Sequence, residues 1–353
     1  MVRELEEFGS IGAELYGSIG AEGYGSIGAE LYGSIGAEGY GSIGAEGFGS
    51  IGAELYGSIG AELYRSLLMG GADEALREAA ERVTLREFGG EVMQRALVEV
   101  TSCCGNDCYY CGIRASNREA RRYTLTREEI VAVCGEAYAL GFRTFVLQGG
   151  EWRGMSDRWL VGVIEELRQR YTEATVTLSL GERSRGSYER LYEAGARRYL
   201  LRHETFNREH YSLLHPPQMS YDRRMECLEA LREIGYAVGT GMMVGTPHQS
   251  VDHLVEDLLF IERFKPEMVG IGPFIPHHST PFAAEAVGSV EMTLRLISIV
   301  RLMMPRVWIP STTALATLAE DGRERGLRAG ANVVMPKFTP PERQADYSLY
   351  DNK

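Results

Sequence analysis

The stretch Ala96-Leu-Val-Glu-Val-Thr-Ser-Cys-Cys-Gly-Asn-Asp-Cys-Tyr-Tyr-Cys111 decides the fold and narrows the chemistry. Residues 96–100 are a short β-rich run, and a cysteine cluster follows it at once. Cys104, Cys108 and Cys111 are spaced C-x3-C-x2-C. Three thiolates on one short loop can bind three irons of a cubane cluster, because soft sulfur ligands favour Fe–S and zinc. Structural zinc usually takes four closed ligands. A set of three leaves one iron without a protein ligand, open to a small chelating molecule. Cys103 offers a C-x4-C-x2-C register, but Cys104 is the favoured first ligand.

Outward from this loop, residues 95–353 alternate β-rich runs with amphipathic helices. The runs are 96–100, 144–147, 175–180, 198–201, 237–242, 268–271, 307–309 and 332–335. Helix starts are readable between them. Thr126-Arg-Glu-Glu129 is a capping box ahead of Ile130, Cys134 and Ala137. Ser156 precedes Leu160, Ile164 and Leu167, and Ser250 precedes Leu254, Leu258 and Ile261. Eight runs with intervening helices predict a (β/α)8 barrel, with a six-stranded partial barrel as the alternative because the last two runs are weakly marked. In either, the reactive site lies at the C-terminal ends of the strands, and Cys103 is expected to point back into the barrel mouth.

Upstream, residues 65–94 read as a helical lead-in and residues 9–64 as seven tandem octads of the type Gly9-Ser-Ile-Gly-Ala-Glu-Leu-Tyr16. Each octad has at least two glycines, which cost about 1 kcal/mol apiece against an alanine helix. Low-complexity, irregular chain is therefore expected over residues 1–64, with no nucleophile or metal-ligand set. The net charge is −12; setting aside the seven octad glutamates leaves −5, which argues against a nucleic-acid surface. No apolar run approaches the roughly 18 residues of a membrane span, and the acidic N-terminus has no export signal, so a cytoplasmic protein is expected. Four of six cysteines fall within nine residues, which is a metal-binding rather than a disulfide pattern. Cys134 and Cys227 lie on apolar helical faces and read as buried, inert thiols.

Further candidate residues sit where strands end. The second run closes on Gln148-Gly149-Gly150-Glu151, where adjacent glycines let backbone approach a ligand closely. Alternation puts Thr177 and Ser179 on one face as candidate cofactor contacts, and Arg202 and Glu204 share a face near the exit of their strand. There a guanidinium suits an anionic group and a glutamate suits hydroxyl donors. Arg224 heads the following helix as a second cation. His277-His278 resembles a metal pair, but adjacent loop histidines usually point apart, and they are left out of the site.

The motifs now resemble a known family. An aromatic residue, Tyr110, stands just before the last cysteine of the C-x3-C-x2-C loop, as in radical S-adenosylmethionine (SAM) enzymes. Tyr-Cys-Gly-Ile-Arg114, Leu-Gln-Gly-Gly-Glu151, Leu-Ser-Leu-Gly-Glu182, Tyr-Leu-Leu-Arg-His-Glu204, Met-Val-Gly-Thr-Pro247, Val-Gly-Ile-Gly-Pro-Phe-Ile-Pro-His277, Thr-Thr-Ala314 and Ala-Gly-Ala-Asn-Val-Val-Met-Pro336 occur in order. From about residue 95 onward the chain is similar to the HydE family, radical SAM maturases of FeFe hydrogenase related to biotin synthase and methylornithine synthase. The resemblance implies a barrel enclosing a 4Fe–4S cluster, SAM and a substrate, with SAM cleaved reductively to methionine and a 5′-deoxyadenosyl radical. It implies that Gly149, Gly150 and Glu151 receive the methionyl amine, that Ser179, Glu204 and Arg224 contact SAM, and that Met243 lies near the adenine. Arg95, Gln148, Thr312, Thr313, Met335 and Tyr350 would line the substrate cavity. The implied partners are a cysteine-bound iron carbonyl–cyanide complex as substrate, reduced ferredoxin or flavodoxin as electron donor, and companion maturases.

The chain departs from the family at Cys103, where Asn is usual, and at Lys337 after Met-Pro, also usually Asn. The extra C-terminal cysteines of some relatives have no counterpart in these residues, so a single cluster is expected. The rival readings are a radical SAM amino-acid mutase or synthase such as methylornithine synthase, and a non-catalytic assembly scaffold. The ligand register is directly testable. Cys104→Ala, Cys108→Ala and Cys111→Ala should each lose the reconstituted cubane, and Cys103→Ala should retain it, by iron counting and EPR of the reduced protein. Loss of the cluster in Cys103→Ala alone would contradict the register.

Overall fold

The computed structural model describes residues 50–353 apart from 71 and 72; the octads up to residue 49 lie outside the described residues. Two helices, α1 (Ser50–Met69) and α2 (Asp73–Phe88), lead into β1 (Met93–Gln94) and β2 (Ala96–Thr101). Then follow α3 (Arg127–Ala139), β3 (Thr144–Gly149), α4 (Asp157–Arg170), β4 (Thr175–Ser179), α5 (Arg185–Ala194), β5 (Arg198–Leu200), α6 (Arg208–Leu214) and α7 (Tyr221–Ile234). The chain continues with β6 (Ala237–Val244), α8 (Val251–Phe264), β7 (Met268–Pro273) and α9 (Val290–Met303). It closes with α10 (Thr313–Leu318), α11 (Gly322–Arg328), β8 (Val333–Val334) and α12 (Pro341–Gln344). Strands β2 to β7 form one six-stranded parallel sheet in sequence order, a TIM-barrel-like α/β arrangement.

Local chemistry sets the helix starts. Thr126 and Glu129 form the expected capping box of α3, and the Ser156 and Ser250 hydroxyls accept the Trp159 and His253 N–H groups. Alternation along the strands then divides the sheet. Val98, Val100, Phe145, Leu147, Val176 and Leu178 face outward and join Ile130, Leu160 and Ile164 of the helices in the main core. Leu97, Glu99, Gln148, Thr177 and Ser179 take the opposite, inner face. Cys134 and Cys227 are buried in the helical layer as expected, and burial pushes both thiols up. Among the described residues no helix is long and apolar enough to cross a membrane.

Two expectations need correcting. Residues 50–64, read as irregular, belong to α1. The glycine cost is overcome by packing: Gly60 meets Leu259 of α8, the Tyr64 hydroxyl reaches the Met303 sulfur of α9 at 3.1 Å, and Leu68 is buried. Arg65 adds an ion pair to Asp252 at 2.6 Å. Second, the run 307–309 makes only isolated bridges, Met268 with Trp308 and Pro310 with Val333, and the run 332–335 shrinks to β8, which pairs with β1. Pro310 and Pro336 carry no N–H to extend a ladder there. The docking of α1 predicts that Leu68→Ala destabilises the protein by about 2–4 kcal/mol, read as a lower Tm. An unchanged Tm would contradict that packing.

Candidate active site

The cysteine loop leaves the C-terminal end of β2, and Cys104, Cys108 and Cys111 are all partly buried on it. Burial raises all three thiols above their ordinary range. Cys108 is raised further by its Cys111 and Cys104 neighbours, and Cys111, also facing Cys104, is pushed up to about 12. Thiols that oppose one another's ionisation share one small space, and a bound cation relieves both the burial and the repulsion. Cys103 stands apart: its thiol contacts the Tyr123 carbonyl at 3.7 Å rather than the barrel mouth. Elsewhere the loop is braced by a bidentate Arg114–Asp107 pair at 2.8 and 2.6 Å, which holds the Asp107 carboxyl well below its usual range. Tyr110 leans on the segment after α6, its hydroxyl 3.1 Å from His215 Nε2.

The Gln148-Gly-Gly-Glu151 turn packs directly under that loop. A Cβ on Gly150 would overlap the Cys103 carbonyl and sit 2.8 Å from Cys104 Cβ, and one on Gly149 would sit 2.9 Å from Thr101 Cγ2. The glycines therefore admit the cysteine loop itself, a closer constraint than a ligand. Gly105 donates to the Glu151 carbonyl at 2.8 Å, and the Glu182 N–H donates to the Glu151 carboxylate at 2.7 Å.

Opposite, Arg202 Nη2 lies 3.2 Å from Glu204 Oε2, off the line of a hydrogen bond. Arg202 Nε and Nη2 and Glu204 Oε2 are buried atoms without a hydrogen-bond partner. Glu204 holds φ at 65°, a left-handed value that non-glycine residues rarely adopt. Arg224 is buried and already engaged, donating to Glu182 Oε1 at 2.7 Å and to the Arg202 carbonyl at 2.6 Å. It braces the strand exit rather than offering a free second cation. Met243 joins Phe274, Phe282 and Leu214 in a small apolar cluster against Tyr109 and Tyr110. Ser179 ends β4, half-buried on the inner face.

The residues expected to line the substrate cavity divide between two levels. Thr312 Oγ1 is buried without a partner and packs against Gly272 at the upper end of β7; Thr313 opens α10, and Met335 follows β8, half-buried. Burial pushes the Tyr350 hydroxyl up to about 12. Arg95 lies at the opposite, lower end. Its guanidinium and that of Arg198 each lie 4.3 Å from the Trp308 ring, Arg95 Nη2 is buried and unpaired, and burial lowers Arg95 to about 9. Thr177, taken from sequence as a cofactor contact, lines this lower cavity with Arg95 and Arg198, and its buried hydroxyl has no partner.

Sequence reasoning missed a carboxylate. Glu99, fully buried on the inner face, pairs with Lys353, whose ammonium also donates to the Tyr347 carbonyl at 3.2 Å. Gln148 reaches the Tyr347 hydroxyl at 3.4 Å. An isolated Glu in an apolar run carries no local signal for a partner 254 residues away. His277 and His278 also differ from expectation: their rings stack at 4.3 Å, and His278 Nδ1 bonds Asp351 at 2.7 Å on the outer side of the loop.

Three thiols gathered on one loop and buried, unsatisfied polar atoms at Arg202 and Glu204 fit a cubane cluster with one open iron and a chelating, polar ligand such as SAM. Fold and site together define a radical SAM enzyme, and residues 98–261 match the Radical SAM superfamily. The chain is 44% identical over 283 residues, 80% of its length and 80% of the relative's, to the [FeFe] hydrogenase maturase subunit HydE of Thermotoga maritima. It is 28% identical to a 3-methylornithine synthase of Methanosarcina acetivorans, covering 80% of this chain and 81% of that one. The crystal structure of methylornithine synthase (PylB) superposes with a TM-score of 0.74 at 27% identity, over 83% of this chain and 88% of the other. The chain belongs to the HydE family of radical SAM enzymes, which use a 4Fe–4S cluster and SAM. Because Gly150 admits the loop, Gly150→Ala should fold yet retain iron roughly tenfold less well after reconstitution. Wild-type iron retention in that variant would contradict the packing argument.

Proposed function

We propose that this enzyme acts in assembling the two-iron subcluster of FeFe hydrogenase, on a small anionic substrate such as a cysteine-bound iron carbonyl–cyanide complex. The observation that carries the choice is the 44% identity to a HydE maturase against 28% to a 3-methylornithine synthase; the buried Arg95, with one unpaired nitrogen, adds a cation at the floor of the site. A buried cation without a counter-ion favours an anionic ligand. The inner-face carboxylate Glu99 is already paired with Lys353, which disfavours a diamino acid such as lysine.

In this reading Cys104, Cys108 and Cys111 hold the cluster. When bound, cluster and SAM supply a one-electron reductive cleavage that yields a 5′-deoxyadenosyl radical. Gly149, Gly150 and Glu151 support the methionyl amine, the Arg202 guanidinium orients the carboxylate, and Glu204 accepts ribose hydroxyls. Ser179 adds a hydroxyl, and Met243 with Tyr110 offers an apolar wall for the adenine. Arg224 positions Arg202 through its carbonyl. Gln148, Thr177, Thr312, Thr313, Met335 and Tyr350 shape the substrate space, and Tyr347 with Lys353 excludes water from its upper wall. The isolated bridges Met268–Trp308, Pro310–Val333 and Leu97–Lys337 support an eight-stave barrel closed around that space. Companion maturases and an acidic donor such as reduced ferredoxin or flavodoxin complete the proposed system.

Purified protein supplied with the companion maturases should activate an apo FeFe hydrogenase. Thr312→Val with Thr313→Val should cut that activity roughly tenfold or more while leaving the 4Fe–4S EPR signal intact. Conversion of lysine to methylornithine, with no active hydrogenase, would overturn this reading and leave the radical SAM assignment standing.

A further inference from the structure

Eleven residues after the third cluster cysteine lies an arginine that neither the family motifs nor the site description uses. Arg122 sits in the segment that returns along the end of β2, where Thr101 bridges Thr124, the Ser102 N–H donates to the Tyr123 carbonyl at 3.1 Å and the Leu125 N–H to the Val100 carbonyl at 2.8 Å. The Ser102 hydroxyl donates back to the Arg121 carbonyl at 2.9 Å. The backbone on either side of Arg122 is therefore fixed to the strand that delivers the cysteines.

From this fixed base the guanidinium reaches four carbonyl oxygens. Nη1 donates to Ser102 and to Ile113, both at 2.7 Å. Nη2 donates to Arg114 at 2.6 Å and to Asn117 at 3.1 Å. Ser102 stands just before the cysteine run, and Ile113 and Arg114 stand just after Cys111. One planar fork thus ties the entry of the loop to its exit. Asn117, held by that fork, donates its own side-chain amide to the Gly112 carbonyl at 2.6 Å. A lysine could not serve four acceptors in this plane, because its ammonium is a compact point donor on a flexible stem.

Closing a loop costs chain entropy, and gathering three thiolates in one small space adds electrostatic resistance. A fork at the loop's two ends offsets the first, and its fixed positive charge offsets the second. The carbonyls it holds, Ser102 before the cysteine run and Ile113 and Arg114 after it, place that charge beside the ligating loop. Bound thiolates and a reduced cluster are more negative than free thiols, and net local charge is one of the quantities that set cluster potentials.

We infer that Arg122 is a positioning residue of the cluster site: it holds the cysteine loop in its ligating shape through four carbonyls and raises the reduction potential of the cluster bound there. The inference rests on Cys104, Cys108 and Cys111 being the ligands. The two effects separate by substitution. Arg122→Lys keeps the charge and loses the fork; Arg122→Gln loses both.

The test compares wild type, Arg122→Lys and Arg122→Gln after anaerobic reconstitution, by iron retention against a chelator and by an EPR-monitored potential titration. Both variants should retain iron about 10-fold to 100-fold less well, the range for losing a partner of a metal site's ligands. Arg122→Gln should also titrate at a lower potential, while Arg122→Lys stays near wild type. Iron retention and potential both unchanged in Arg122→Gln would overturn the inference, as would a lowered Tm with both unchanged, which marks a merely structural arginine. If Arg122→Gln fails to fold, Arg122→Lys decides: wild-type iron retention there overturns the clamp. A wild-type protein that takes up no cluster at all would instead refute the cysteine assignment, which is a different result.

Discussion

Everything at the mouth of the sheet depends on one electrostatic constraint: three buried thiols must share a single loop. Left to themselves they resist ionisation, each opposed by burial and two of them by neighbouring sulfurs. The surrounding architecture makes that arrangement possible without a fourth protein ligand. The end of β2 and the returning segment at Tyr123 fix where the loop starts, and Arg114, Asp107 and Asn117 fix how it turns. The glycines after β3 remove the side chains that would push it away. A loop so supported is complete only with a metal cluster in it.

The same constraint organises the rest of the site. Tyr109 and Tyr110 are part of the cysteine loop, and their neighbours His215, Leu214 and Met243 bring the ends of α6 and β6 against it. Arg224 links the far wall by bonding both Glu182 and the carbonyl of Arg202, which ties the β4 and β5 exits together. The unsatisfied atoms of Arg202 and Glu204 lie buried at the β5 exit without hydrogen-bond partners. Deeper in, the site changes character: Arg95 and Arg198 on Trp308 form a cationic floor, distinct in charge from the Glu99–Lys353 pair above it.

What the sequence made legible was whatever is written locally. The C-x3-C-x2-C spacing, the Thr126 capping box and the alternation of the first six strands each depend on residues a few positions apart, and the structure has them as read. Less legible were features decided by distant partners. The helix at residues 50–64 exists because α8 and α9 receive it, against the propensity of its glycines. The last two runs pair through single bridges, since prolines interrupt their ladders. Thr177 and Ser179 share a face, yet Thr177 belongs to the floor, and alternation alone cannot say how far up a strand a cavity begins. Lys353, Tyr347 and Arg122 gave no motif, because each acts through carbonyls or through a residue remote in sequence.

The central claim is that three cysteines hold a cubane whose fourth iron is open to SAM. The most direct measurement is EPR of the reconstituted, reduced protein before and after SAM is added, with pulsed spectroscopy on SAM labelled at the methionyl nitrogen and carboxylate. The account predicts a 4Fe–4S signal that shifts on adding SAM and shows hyperfine coupling to both labels. A signal unchanged by SAM with no coupling, or a protein that takes up zinc in place of the cluster, would contradict it.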